Sequence, residues 1–306
     1  NILDFENLTK DNIYVLESPI LSNSQYEKFM DFFRDSIKIL DCTFNVQNNL
    51  KENLNQLSSE AETAVREGYK HLILSDKQLS ENRAAIPMIL AFGAINSKLV
   101  NLGIRGFVSI NVQTGEVLDT HSFAVLLGAG ATTINPYLAF DSIYQRYEKK
   151  LFGKLNYEKC VRRYIKSVDN GLLKIMSKMG ISVLSAYRGG CNFETVGLSR
   201  AVVAEYFPGM ISRISGIGIF GIEKKIKELH KKAFQKNVSI LPIGGIYKYR
   251  KNGESHQYQG QLIHMLQHAV TVNSYETYQK YAQGIYNLPL INLRDLLIFK
   301  SPRKSI

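Results

Sequence analysis

Apolar positions along the chain fall in short runs separated by polar stretches with helical spacing. Leu172, Leu173, Met176 and Met179 recur on one side of a run of strong helix formers, and Gly180 is the residue that ends such a helix in a left-handed turn. Ile181, Val183 and Leu184 then predict an extended run, residues 187–190 a polar turn, and Leu198 and Ser199 the start of a new helix. Helix, glycine stop, strand and turn make one step of a wound α/β sheet.

The same step recurs upstream. Residues 1–12 read as a polar linker and 13–16 as a short apolar run turned by Ser18 and Pro19. Ser24 with Glu27 fits a capping box, predicting a helix over 25–37 that buries Tyr26, Phe29, Met30 and Phe33. Residues 37–46 alternate as a strand, 51–67 form a polar helix stopped by Gly68, and 71–76 form a short buried strand. Arg83 to Leu102 predicts one long apolar helix with Pro87 in its first turn. A strand over 106–112 and helices over 120–127, 140–152 and 157–179 follow. The fold class predicted is α/β, a mostly parallel sheet with flanking helices, a barrel-like remnant. Its ligand loops would follow the strand ends at 75–76, 111–112 and 185–186.

Beyond Pro208-Gly209, residues 213–220 are apolar with glycines and 221–236 form a basic helix. Asn252-Gly253, after Tyr247 and Tyr249, is a hairpin signal. Amphipathic helices over 261–269 and 274–284 and a short strand or helical turn over 293–299 complete an incomplete helical and hairpin segment.

Composition narrows this picture little. The chain has 306 residues, 45% hydrophobic and 21% charged, which is ordinary for a soluble globular protein. No apolar run has the length of a membrane span. The three cysteines, Cys42, Cys160 and Cys191, are widely spaced and lack a CxxC pair, which argues for reduced thiols, a cytoplasmic setting and no zinc site. Asn1 at the first position points to a processed chain or an excised fragment. The net charge is +11, and basic residues gather at 146–150, 162–166, 224–236 and 303–304, the third with helical spacing. No nucleic-acid-binding module accompanies it, so a solvated face or a surface for an acidic partner is the better reading, and neither nucleic acid nor membrane is an expected partner.

Candidate chemistry is sparse. Gly128 to Gly130 lacks the spacing of a phosphate loop and reads as a close-approach turn. His121 has no nucleophile at elbow spacing and reads as a structural residue, and Cys191 has no histidine near it in sequence. His264 and His268 stand one helical turn apart without a third ligand, which favours solvent-facing residues over a metal site. Arg83, His121, Lys178 and Arg188 are candidates for anion binding or for pairing a carboxylate across a domain seam. No self-sufficient catalytic constellation is present.

Several longer stretches carry a resemblance. Residues 174–182 (KIMSKMGIS), Ala186-Tyr187-Arg188-Gly189 and 193–199 (FETVGLS) resemble the large subunit of glutamate synthase. So do 14–23 (YVLESPILSN), Arg83-Ala84-Ala85-Ile86-Pro87, His121-Ser122-Phe123-Ala124, 131–140 (ATTINPYLAF) and 245–256, in the family's order. The resemblance implies a linker over 1–12, a central domain over 13–236 and a truncated start of the flavin-binding domain over 237–306. It implies L-glutamate formation from L-glutamine and 2-oxoglutarate by the whole enzyme. An amidotransferase domain would release ammonia into a tunnel leading to a barrel with FMN and an iron–sulfur cluster. The partners implied are those two domains of the same polypeptide, with a small subunit or ferredoxin delivering electrons. No cofactor is expected within this stretch itself, and catalysis is expected to need the missing domains. Thr132, Thr133, Ile134 and Asn135 are the tunnel-wall candidates. The alternative for Asn135 is a helix-entry turn in which its side chain bonds its own backbone. The alternative for the whole chain is a free-standing interaction protein whose basic helix binds an acidic partner.

Overall fold

The computed structural model describes residues 14–190, 192–235 and 243–297. Two compact units divide the chain after Phe234. The first is an α/β unit. Its main sheet has four parallel strands in the order β1 (Ile37–Asp41), β3 (His71–Ser75), β5 (Ser109–Gln113) and β6 (Ile134–Asn135). The sheet is open rather than a closed barrel, and residues 19–21 run along its β6 edge: Ile134 donates its N–H to Pro19 O and Leu21 donates to Ile134 O.

Alternation along the strands decides what each face meets. Leu72, Leu74, Ile110, Val112 and Ile134 belong to the large core with α2 (Leu50–Arg66), α3 (Met88–Asn101) and α4 (Thr120–Ala129). Ile73 instead packs with Leu21 and Phe29 of α1 (Asn23–Phe32) in a smaller cluster. α5 (Tyr137–Glu148) and the long amphipathic α6 (Tyr157–Lys178) add an outer layer, with Val161, Val168, Leu172 and Met176 turned inward.

Several expectations are corrected. The capping box is two residues earlier, with Ser22 receiving Gln25 N–H and Gln25 reaching back to Ser22. The strand expected over 37–46 is two strands in different sheets. Cys42 separates them, and β2 (Thr43–Asn45) pairs antiparallel with β4 (Arg83–Ala85). Residues 83–85 are therefore strand, and the helix begins only at Met88. A residue before proline is pushed out of the helical region, and Pro87 leaves the first turn to be capped from elsewhere, by the Glu116 carboxylate that accepts Met88 N–H at 2.7 Å. Ile181 to Leu184 is not a strand. A single helical turn, α7 (Leu184–Tyr187), stands there, and the extended segment comes later as β7 (Glu194–Leu198). The sheet end expected at 185–186 is therefore not one.

β7 pairs in parallel with β8 (Ile211–Ile217) in a two-stranded sheet joined by α8 (Arg200–Tyr206), which Ser199 caps. The basic helix α9 (Ile219–Ala233) follows. In the second unit α10 (Gly260–Thr271) packs on α11 (Tyr275–Tyr286), and a short 3-10 turn spans Leu293–Leu296. Asn252-Gly253 forms a turn, closed by Gly253 N–H to Arg250 O, but no hairpin strands flank it among the described residues.

Candidate functional site

Polar side chains gather on one face of the main sheet, toward its carboxyl end. Ser75 ends β3, Gln113 ends β5 and Asn135 ends β6, and the pleat points all three to the same side. All three are buried, so each needs a partner. They find one another. Ser75 Oγ donates to Gln113 Oε1 at 2.9 Å, and Gln113 Nε2 donates to Asn135 Oδ1 at 3.4 Å. Asn135 Nδ2 then donates to Leu21 O and to Asn23 Oδ1, both at 3.0 Å. A second pair lies one pleat earlier, where Thr133 Oγ1 donates to Asn111 Oδ1 at 2.8 Å.

This row ends beside an open cleft. Asn23 lines a cavity of about 930 Å³ between the start of α1 and the α5–α6 layer, with Ser18, Phe140, Arg162, Lys166 and Asp169 among its walls. Ser18 Oγ donates to Asp169 Oδ1 at 2.8 Å, and burial pushes the Asp169 carboxyl above its usual range.

The β3–β4 and β5–α4 loops are locked together next to the row. Buried Asp76 accepts the Thr114 hydroxyl at 2.5 Å and the Gly115 N–H at 3.1 Å. Burial, then the charge of Asp76, pushes the Tyr137 phenol well above its ordinary value, so it stays protonated. Glu116 is raised by burial as it caps α3. These groups are committed to each other, and the cluster presents no free nucleophile.

The tunnel-wall candidates therefore share one strand and its lead-in. Thr132 donates its backbone N–H to Ile110 O, Thr133 and Asn135 face the polar row, and Ile134 faces the apolar core. Asn135 bonds across 114 positions to Leu21 rather than to its own backbone.

The anion-binding candidates are scattered. Arg83 is spent on Asp41 at 2.6 Å and on Thr43, beside a polar cavity of about 340 Å³. His121 is exposed in the first turn of α4, and Lys178 is exposed at the end of α6. Arg188 is half-buried after α7. Among the described residues these four share no hydrogen bond or ion pair with one another. Cys42 and Cys160 are buried apart, and Cys191 lies outside the described residues. No group of three metal-ligating side chains occurs among the described residues. On the basic helix, Lys227 bonds Asn48 O and Glu223, while Lys224, Lys225, Lys231 and Lys232 are exposed. No described helix is long and apolar enough to cross a membrane.

Sequence reasoning placed Asn111 only as a strand end and missed Gln113 and Asn23. The signal for the first two was present: in Ser109-Ile110-Asn111-Val112-Gln113 the polar residues alternate with apolar ones, as a strand with one buried polar face requires.

Comparison with known proteins places the chain. Residues 1–199 match the family model described as glutamate synthase central domain. The chain is 48% identical over its whole length to the glutamate synthase [NADPH] large chain of Azospirillum brasilense, covering 20% of that protein. It is 36% identical to the corresponding large chain of Bacillus subtilis, over 95% of this chain and 19% of that protein. It is also 36% identical to the chloroplastic ferredoxin-dependent glutamate synthase of Spinacia oleracea, again over 95% of this chain and 19% of the relative. The chain thus spans about a fifth of the length of the curated relatives it matches.

Proposed function

Since the chain belongs to the glutamate synthase central domain family, we propose that it joins the ammonia-releasing and ammonia-consuming domains of a glutamate synthase large chain. In that role it would contribute wall to the passage between them. The whole polypeptide would make L-glutamate from L-glutamine and 2-oxoglutarate, with FMN and an iron–sulfur cluster held in the synthase domain rather than in the described residues. This stretch supplies positioning and enclosure.

The observation that carries the reading is the continuity of the polar row. From Ser75 through Gln113 and Asn135 to Asn23, hydrogen-bonding side chains lead across the sheet face to the 930 Å³ cavity. A small uncharged amine needs donors and acceptors along its route and walls that exclude bulk water, because an unpaired polar group in an apolar channel is costly. Thr133 and Asn135 supply such groups from a strand whose alternate residue, Ile134, anchors it in the core.

The test is coupling in the full-length enzyme. Asn135→Leu should leave glutamine hydrolysis running while glutamate formed per glutamine hydrolysed falls below one-to-one, with free ammonia appearing in solution. Unchanged one-to-one stoichiometry in a folded variant overturns the tunnel role and leaves a purely structural one.

A further inference from the structure

The crossover unit β7–α8–β8 is finished on one side only. β7 and β8 run parallel, and no third strand pairs with either among the described residues. One face is covered by α8. Ser212 of β8 shares a small cleft there with Arg200, Val203 and Phe207, and Thr195 of β7 donates its hydroxyl to Met210 Sδ at 3.9 Å.

The opposite face is aliphatic. Strand side chains alternate, so Glu194, Val196 and Leu198 point away from Thr195. Their register partners are Ile211, Ile214 and Ile217, with an irregularity in the ladder between successive pairs. These irregularities match residues spaced by three on β8 to residues spaced by two on β7, which brings the aliphatic side chains of both strands to one face. Val196 is 64% exposed, Ile211 55% and Ile214 61%. Val196 and Ile214 stand directly beside each other. Leu198 and Ile217 continue the row and are partly buried, and Arg213 pairs with Glu194 at 3.5 Å at its other end.

A single exposed aliphatic residue is ordinary, whereas a block of them aligned by strand register is not. Parallel strands occur almost only in sheets covered on both faces. Two strands alone are also too few for a self-sufficient sheet. The unit therefore needs a second layer over Val196, Ile211 and Ile214.

Two arguments identify that layer. This chain aligns along its whole length with a relative of which it covers 20%, so four-fifths of that polypeptide lies outside it. The patch is also small. A stable association of separate molecules buries roughly 800 Å² on each partner, more than a few aliphatic side chains supply, whereas a segment tethered in the same polypeptide docks at high effective concentration. We propose that the outer face of β7–β8 is an intramolecular docking surface, covered by an apolar face of the same large chain outside residues 1–306. The ion pair of Arg213 with Glu194 forms its polar rim. The proposal rests on membership of the family and not on the polar row, and its test does not read ammonia transfer, so the two can fail separately.

The experiment uses the full-length large chain. Ile214→Cys and, on the neighbouring strand, Val196→Cys are labelled with a water-soluble maleimide and read by peptide mapping. Each should react at least about tenfold more slowly in the native enzyme than in urea. Ile214 replaced by p-benzoylphenylalanine is then photo-crosslinked. The expected product is internal to one polypeptide and joins position 214 to a peptide outside residues 1–306. Native labelling of both cysteines at the unfolded rate overturns the docking surface. So does a crosslink to residues 235–306, a product of doubled mass that joins two copies, or no crosslinked product.

Discussion

The side-chain amide of Asn135 donates to the carbonyl oxygen of Leu21 at 3.0 Å, which fastens the strand at the sheet edge to a segment 114 positions earlier. Both groups are buried, so neither has water as an alternative. Asn135→Ala leaves Leu21 O and Gln113 short of a partner and should cost about 1–3 kcal/mol. Asn135→Asp should cost more, because it turns an acceptor toward Leu21 O. Urea-unfolding midpoints of the three proteins check this, and an aspartate variant as stable as the parent contradicts it.

Gly216 of β8 has Gly197 of β7 so close that a Cβ would meet its carbonyl group. Backbone cannot step aside, so Gly216→Ala should separate the two strands and cost at least about 2–3 kcal/mol. Gly128→Ala meets a side chain instead, the Phe193 ring. Adding Phe193→Leu should recover part of the Gly128→Ala loss, while no side-chain change should recover Gly216→Ala. Equal rescue of both would mean that the strand contact is softer than described.

His71 begins β3 with its ring 4.1 Å from Phe33 and 5.4 Å from Phe29, centroid to centroid, and its Nδ1 buried without a partner. Burial pulls its pKa from 6.5 down to about 4. The folded form therefore holds a neutral ring while the unfolded chain takes up a proton between those values. Its contribution is complete above pH 6.5 and is lost as pH falls toward 4. With the ring only partly shielded, the loss should be up to about 2 kcal/mol. His71→Phe should lack this component, so the stability gap between variant and parent widens in the variant's favour on acidification. A gap independent of pH would mean that the ring titrates normally.

Cys42 is fully buried between β1 and β2, and burial together with the nearby Asp76 and Asp41 charges pushes its thiol far above the ordinary value. The thiolate is the reactive form. Cys42 should therefore resist a water-soluble alkylating reagent under native conditions and react on unfolding. Peptide mapping after brief native labelling reads this out, and prompt modification of Cys42 in folded protein would be incompatible with its placement.

Periodicity made much of the fold legible. The helices around 50–66 and 157–178 repeat an apolar stripe over several turns, which is a long signal. Short elements were not legible for the same reason. Arg83 to Ala85 is three residues whose strand state comes from pairing with Thr43 to Asn45, some 40 positions away. Ile181 to Leu184 has strand-forming residues, but no neighbour pairs with it, and a helical turn closes locally instead. At the site, Thr133 and Asn135 stood out through the resemblance. Their partners Asn111, Leu21 and Asn23 are 22 to 114 positions away, and only the folded sheet brings them together.

Residues 19–21 complete the sheet edge against a strand that is synthesised much later. At roughly 5–20 residues per second, the 114 positions separating Leu21 from Asn135 amount to a delay of about 6 to 23 s. During translation the apolar Pro19-Ile20-Leu21 stretch must wait that long for its hydrogen-bonding partner. The edge of this sheet is thus closed by a segment made early and seated late, and the nascent chain is most exposed to mispairing in the interval before β6 emerges.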